Sequence, residues 1–406
     1  MEGRRMNQSL AEITEQLDDR VVLPVLFVAA VTIRLAYWLR VGTYYPPATE
    51  IFLKACNAPG LSFWTRAPRQ ILKIGYIAPQ CFVVDTLGLP VDTWIVVQAV
   101  VSALTCVVVY VTAKQVISRV GAVVSGLLML FAYDAFIWIN SPTTETLFVF
   151  AVALAMLLLC RFYSNPTPER RVGAWLGLGF VFFTRPHGFG MVGAWLAFDY
   201  LRNYRSKRDS LVPASRVGTV AYHVVAAVGF VGILGLFVRA SFANGAYHPW
   251  VEGWVLDHGI QTFPIAQIEY TPEPADNMIM FAILNADVLI LLAVLRFVAF
   301  FYPYISFAWW GPRWQLFHNL TLWPLLGGGV AGIVLALRNR DERLVHLGLL
   351  PLLGLLAIIS LTYLDRNWRY RAPANPIFAL FAGYFVDTYW PIVSARIRQL
   401  PGIDSE

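Results

Sequence analysis

Charged residues are scarce in this sequence: Asp, Glu, Lys and Arg together make 14% of 406 residues, against about 25% in ordinary soluble domains. That scarcity excludes a chain whose surface is mostly in water. No polar stretch is large enough for a soluble domain, and the longest polar-rich stretches are roughly Arg40–Lys73 and Ala240–Asn277. Cysteine is nearly missing as well. Cys56, Cys81, Cys106 and Cys160 are scattered without metal-ligand spacing, which excludes a cysteine-based metal centre. Cys56 and Cys81 are able to pair only if both face an oxidising compartment, and free thiols are the expectation. No Asp-x-Asp pair is present for a nucleotide-sugar metal site. No clear internal repeat is visible either, which argues against a transporter built from repeated halves.

What is present is apolar. Hydrophobic residues reach 58% and aromatics 15%, with 14 Trp. Runs long enough to cross a bilayer recur from Val21 onward. Met1–Arg20 is polar and the first apolar run is span-length, so no cleavable signal is expected. The expected spans are Val21–Leu39, Trp94–Ala113, Gly121–Ile139, Thr146–Cys160, Val172–Phe183, Phe189–Leu201, Gly218–Val238, Leu320–Leu337, Leu344–Thr362 and Pro376–Val393. Ile74–Val84 is too short to cross and reads as re-entrant or interfacial. Met278–Trp310 is broken by Asn285, Asp287, Arg296 and Pro303, and as a hairpin it raises the count to twelve. The expected fold is all-α: one integral-membrane domain over residues 1–406, with about ten and up to twelve spans. Two long outer loops, 40–93 and 240–316, would carry interfacial helices.

The net charge of +6 reads as membrane topology, not as nucleic-acid binding. With the N-terminus cytoplasmic, short basic loops around Arg4, Arg119, Arg170, Arg205, Arg340 and Arg396 face inward. The C-terminus then also lies inside, and the long loops lie outside. Arg366, Arg369 and Arg371 fall on the outer face, where the charge rule disfavours them, so they need another reason to be there.

Four outer-face segments carry candidate chemistry. Glu50 is the sole carboxylate between Arg40 and Cys81, among Lys54, Arg66, Arg69 and Lys73. It suits a general base facing an anionic substrate, or a plain i,i+4 pair with Lys54. Glu145, in "SPTTETLF", starts a span, where a carboxylate favours the helix N-terminus. Arg185 and His187, in "TRPHG", interrupt apolar sequence; an arginine at that depth serves a polar partner or snorkels. Arg366, Arg369 and Arg371, in "DRNWRYR", offer forked donors for a phosphate or pair with nearby acids such as Asp365. Tyr44, Tyr45, Trp64, Trp250 and Trp254 suit sugar stacking or an interfacial belt. Together these point to an anionic lipid headgroup held at the outer leaflet with a carboxylate nearby.

Four of the chain's segments resemble the GT-C superfamily of polytopic glycosyltransferases, nearest the protein mannosyltransferase, aminoarabinose transferase and GPI mannosyltransferase branches. They are the acidic first loop with "LKIGYIAPQ", the region from "VVQAVVSAL" to "TTETLF", "TRPHG", and "RYRAPANPIFALFAGY". The resemblance covers nearly the whole chain, and its last motif is the most specific. It implies transfer of one sugar, mannose-like, from a polyprenyl- or dolichyl-phosphate donor to a hydroxyl acceptor on a glycan, lipid or protein. The transfer would be inverting, extracytoplasmic, in the cell membrane if the host is prokaryotic, and without metal or cofactor. The family's first-loop base is an Asp; this loop has none, and Glu50 is the residue that matches. Arg369 and Arg371 match the phosphate-contacting motif. Arg185, Arg66, Arg69 and Lys73 add charge, and Glu145, His187 and Tyr45 are expected to line the cavity. The competing classes are a transporter or flippase, a lipid-binding subunit without turnover, and a ligase using lipid diphosphates.

Overall fold

The computed structural model describes residues 18–56, 72–204, 210–211, 220, 259–262, 267–270, 273, 280, 283–301, 311–361 and 368–397. In hydrocarbon every backbone polar group needs an internal partner, so apolar runs fold as helices. The first is α1 (Asp19–Val41), which opens where the Asp18 carboxylate accepts the Arg20 amide at 3.1 Å. After it come α2 (Pro47–Cys56), α3 (Ile74–Cys81) and α4 (Val91–Lys114), with a wide π turn, Phe82–Thr86, after α3. Next are α5 (Arg119–Phe131), α6 (Tyr133–Phe136) with a 3-10 turn Ile137–Asn140, and α7 (Glu145–Ser164). The pair α8 (Pro168–Thr184) and α9 (Gly188–Phe198) follows. A short antiparallel ribbon, β1 (Gly259–Thr262) with β2 (Gln267–Tyr270), stands in the second long loop, a small departure from all-α. The rest are α10 (Ala286–Phe301), α11 (Gly311–Arg338), α12 (Glu342–Leu344), α13 (Leu350–Leu361), α14 (Trp368–Arg371) and α15 (Asn375–Ile397).

Five stretches among the described residues are long and apolar enough to cross a bilayer: Asp19–Val41, Val91–Lys114, Glu145–Ser164, Leu316–Arg338 and Glu342–Ser360. A sixth is the pair Arg119–Phe131 and Tyr133–Asn140, bent by 56°. The chain is a multi-pass membrane protein, but the expected ten to twelve spans are not reached among these residues. The reasons are local. Helices α8, α9 and α10 are 17, 11 and 16 residues long, and Gly218–Val238, residue 220 apart, lies outside the described residues. Gly121–Ile139, read as one straight span, breaks at Ala132.

Small residues set how closely the helices approach, as expected where lipid supplies no hydrophobic drive between them. Helices α11 and α15 pack at Gly332, where a Cβ would overlap the carbonyl oxygen of Phe381. Helices α9 and α13 meet at Gly190 and Gly354, each against the other's carbonyl. The buried core joins α1, α4, α5, α7 and α15 through Ala30, Cys106, Tyr110, Met129, Phe148 and Phe378. Cys56 and Cys81 form a disulfide, contrary to the expectation of free thiols, and it ties α2 to the end of α3.

Candidate active site

The site is built on the bend after α5. Residues 132–149 are all buried, and buried non-helical backbone must find partners. Gln98 on α4 supplies two: its Nε2 donates to the carbonyls of Ile139 at 3.1 Å and Ser141 at 2.9 Å. The start of the first long loop supplies others. Asn140 Nδ2 donates to Gly42 O at 3.1 Å, and the Tyr44 amide donates to Asn140 O at 2.8 Å. Thr49 Oγ1 reaches Pro142 O at 3.4 Å. The loop is therefore laid along the 139–142 segment, and α2 begins beside it.

That segment delivers Glu145, fully buried, as the first residue of α7. Two guanidinium groups meet its Oε1. Arg185 Nη1 lies 3.0 Å away, and Arg369 donates through Nε. Arg185 is positioned by the break between α8 and α9, where Pro186 follows it and its carbonyl accepts the Gly188 amide at 2.9 Å. Rings hold both cations. Arg369 lies 5.3 Å from the Trp138 ring and Arg185 4.8 Å from that of Tyr370, attractive geometries for a cation over a π face. His187 packs at a tilt of 56° against the Tyr370 ring, 5.0 Å between centroids, and lies within electrostatic reach of Glu145, Arg369 and Lys73. Tyr76 of α3, which accepts a hydrogen bond from Trp94 Nε1 at 3.1 Å, also feels the Glu145 charge. The side chain of Arg369 keeps 28% of its exposure, against 6% for Arg185. It is the more open of the two guanidiniums.

A second buried ionic cluster lies beside the first. Asp134 on α6 is paired with Arg371, whose Nη2 and Nε lie 2.7 and 2.8 Å from Oδ2, while His318 Nε2 of α11 contacts Oδ1. All three side chains are essentially inaccessible. Arg371 Nη1 also donates to Phe300 O at 3.3 Å. The "WRYR" turn thus sends Arg369 to Glu145 and Arg371 to Asp134. Residues two apart on a helix do not share a face, so the two arginines diverge.

Of the residues read from the sequence, Glu145, Arg185, His187 and Arg369 come together. Lys73 lies over the Phe52 ring at 5.1 Å. Tyr45 is exposed, one residue from the Tyr44 contact. Glu50 is exposed on α2 and pairs with Lys54 at 2.7 Å, whose hydrogen bond holds the carboxyl below its usual range. It stands next to Thr49, which touches the site loop. Arg66, Arg69 and Arg366 lie outside the described residues. Sequence reasoning missed Asp134, His318 and Trp138. The signal for Asp134 was available: an ionisable residue inside an apolar run is a site candidate by default.

Fold and site together define a multi-pass membrane protein with a buried ionic site where helix ends meet. Residues 87–231, less than half of the chain, match the family model of the dolichyl-phosphate-mannose-protein mannosyltransferases. The matched segment contains Asp134, Glu145, Arg185 and His187. No curated protein matches the chain.

Proposed function

We propose that the protein transfers a single hexose, mannose-like, from a polyprenyl monophosphate to a hydroxyl acceptor, with inversion, on the extracytoplasmic side. The observation that carries this reading is Glu145 Oε1 shared by Arg185 and Arg369. Two guanidiniums around one carboxylate leave a local positive charge, in a site where little water screens it. An anionic phosphate is the natural complement. Arg369, the more open of the pair, faces the donor phosphate, with Arg185 on the same carboxylate oxygen.

The leaving group is a phosphate ester of low basicity, so the departing oxygen needs no strong acid. The main electrostatic task is to stabilise charge growing on the phosphate, which fixed arginines do without reorganising. The acceptor hydroxyl attacks the anomeric carbon from the face opposite the phosphate. Glu50, which follows the Thr49 that reaches Pro142 O, takes its proton. The carboxylate is ionised at neutral pH, and an acceptor must displace Lys54 to use it. The Cys56–Cys81 disulfide supports an oxidising, extracytoplasmic face for this loop.

The test is incubation of purified protein with a panel of polyprenyl-phosphate hexoses and candidate acceptors, followed by mass spectrometry of lipid and product. Release of polyprenyl monophosphate with a glycosylated acceptor supports the reading. Binding of the lipid without release, in every acceptor mixture, favours a subunit without turnover.

A further inference from the structure

We infer that Asp134, Arg371 and His318 form a positioning cluster that clips the "WRYR" turn to the bent segment after α5, and that Arg371 does not contact the donor. The inference rests on the phosphate reading above for its functional part, and on geometry alone for its structural part.

The geometry is specific. Two carboxylates on one continuous buried segment, Asp134 and Glu145, receive two arginines from one helical turn, Arg371 and Arg369. The two pairs differ in openness. Arg371 is 1% exposed, with Nε and Nη2 on one carboxylate oxygen and Nη1 toward Phe300 O. Its Nε and Nη1 donate to protein acceptors, and its Nη2 lies at ion-pair distance from the same carboxylate. The other oxygen of Asp134 is taken by His318, whose ring lies edge-on to Tyr133 at 5.5 Å. Asp134 thus ties together α6, α11 and α14, three elements far apart in sequence. Arg369 is 28% exposed and lies over Trp138. The motif therefore divides its labour: Arg371 fixes where the turn sits, and Arg369 works at the site that the turn positions.

Physical chemistry supplies a discriminating test. Removing one partner of a buried ion pair strands a charge, whereas replacing both with apolar groups is often neutral. Arg371→Met alone should lower the melting temperature of the detergent-purified protein, and Asp134→Leu with Arg371→Met should recover much of the loss. Affinity for the probe, polyprenyl monophosphate, should stay at the wild-type value in the double variant, while Arg369→Lys in the same assay weakens it. A double variant no more stable than Arg371→Met overturns the clip. A double variant that recovers stability but binds the probe about tenfold more weakly makes Arg371 a donor contact. Arg371→Lys is the second arm: unchanged affinity with lowered stability supports the inference, and weakened affinity with unchanged stability overturns it. If the wild type does not bind the probe, the phosphate reading fails. The stability comparison still decides the clip.

Discussion

Arg369→Lys keeps the charge and removes the fork, so it isolates what the guanidinium geometry contributes. In the wild type the Nε of Arg369 is on Glu145 and its plane lies 5.3 Å from the Trp138 ring. That arrangement leaves the terminal nitrogens directed by two constraints. An ammonium group meets a phosphate as a point charge and is not held by both partners. Loss of one charge-assisted hydrogen bond to the phosphate costs about 1.5–3 kcal/mol. At about 1.4 kcal/mol per decade, that weakens donor affinity by roughly ten- to a hundredfold. The assay is titration of polyprenyl monophosphate into protein held in nanodiscs, read by tryptophan emission, since Trp138 lies against Arg369. Glu145→Gln in the same series completes a double-mutant cycle with Arg369→Lys. By itself it strands Arg185 beside an amide and costs about 3–5 kcal/mol of stability, less to the extent that the partly exposed Arg369 is relieved by solvent. If Arg369→Lys binds the lipid as tightly as the wild type, with wild-type binding established, the assignment of Arg369 to the phosphate is refuted.

Other perturbations test separate parts of the account. Glu50→Gln should abolish sugar transfer while leaving polyprenyl monophosphate affinity unchanged; wild-type turnover would move the base elsewhere. Reduction of the Cys56–Cys81 bridge, or Cys81→Ser, frees a segment with a sequence separation of 25 and should cost about 3.5 kcal/mol by the loop-entropy account. Unchanged melting on reduction would show that the bridge does not constrain the fold. Gly332→Leu should push α11 from α15 at Phe381 O and lower both stability and yield; a normal melting curve would contradict the packing. A cysteine placed at Lys54 should react with an impermeant thiol reagent on intact cells, and one at Arg340 should not. The opposite pattern would invert the topology.

Much of the helical frame was legible in the sequence. Val21–Leu39, Trp94–Ala113 and Thr146–Cys160 correspond closely to Asp19–Val41, Val91–Lys114 and Glu145–Ser164, because unbroken apolar runs leave the backbone few alternatives to a helix. The bend at Ala132 was not legible. Gly121–Ile139 is apolar apart from Ser125 and Asp134, and the groups that satisfy its broken backbone are remote in sequence: Gln98 bonds across 41 and 43 positions, and Asn140 across 98 to Gly42. The Cys56–Cys81 pairing likewise depends on how α2 packs on α3. At the site, Glu145, Arg185 and Arg369 were readable as charges out of place in apolar surroundings. The divergence of Arg369 from Arg371 was not, since the motif is one string and only the turn of α14 separates their directions. Asp134 was readable by the same argument as Glu145, but the apolar run around it masked it.

The central claim is that a lipid monophosphate sugar is consumed at the site where Arg185 and Arg369 meet Glu145. The most direct test is to supply purified protein in nanodiscs with a polyprenyl-phosphate hexose and an acceptor pool, and to follow the lipid by mass spectrometry. The account predicts conversion to polyprenyl monophosphate by the wild type and a loss of that conversion in a folded Arg369→Gln variant. Consumption of a nucleotide sugar in place of the lipid donor, or equal conversion by Arg369→Gln, would contradict it.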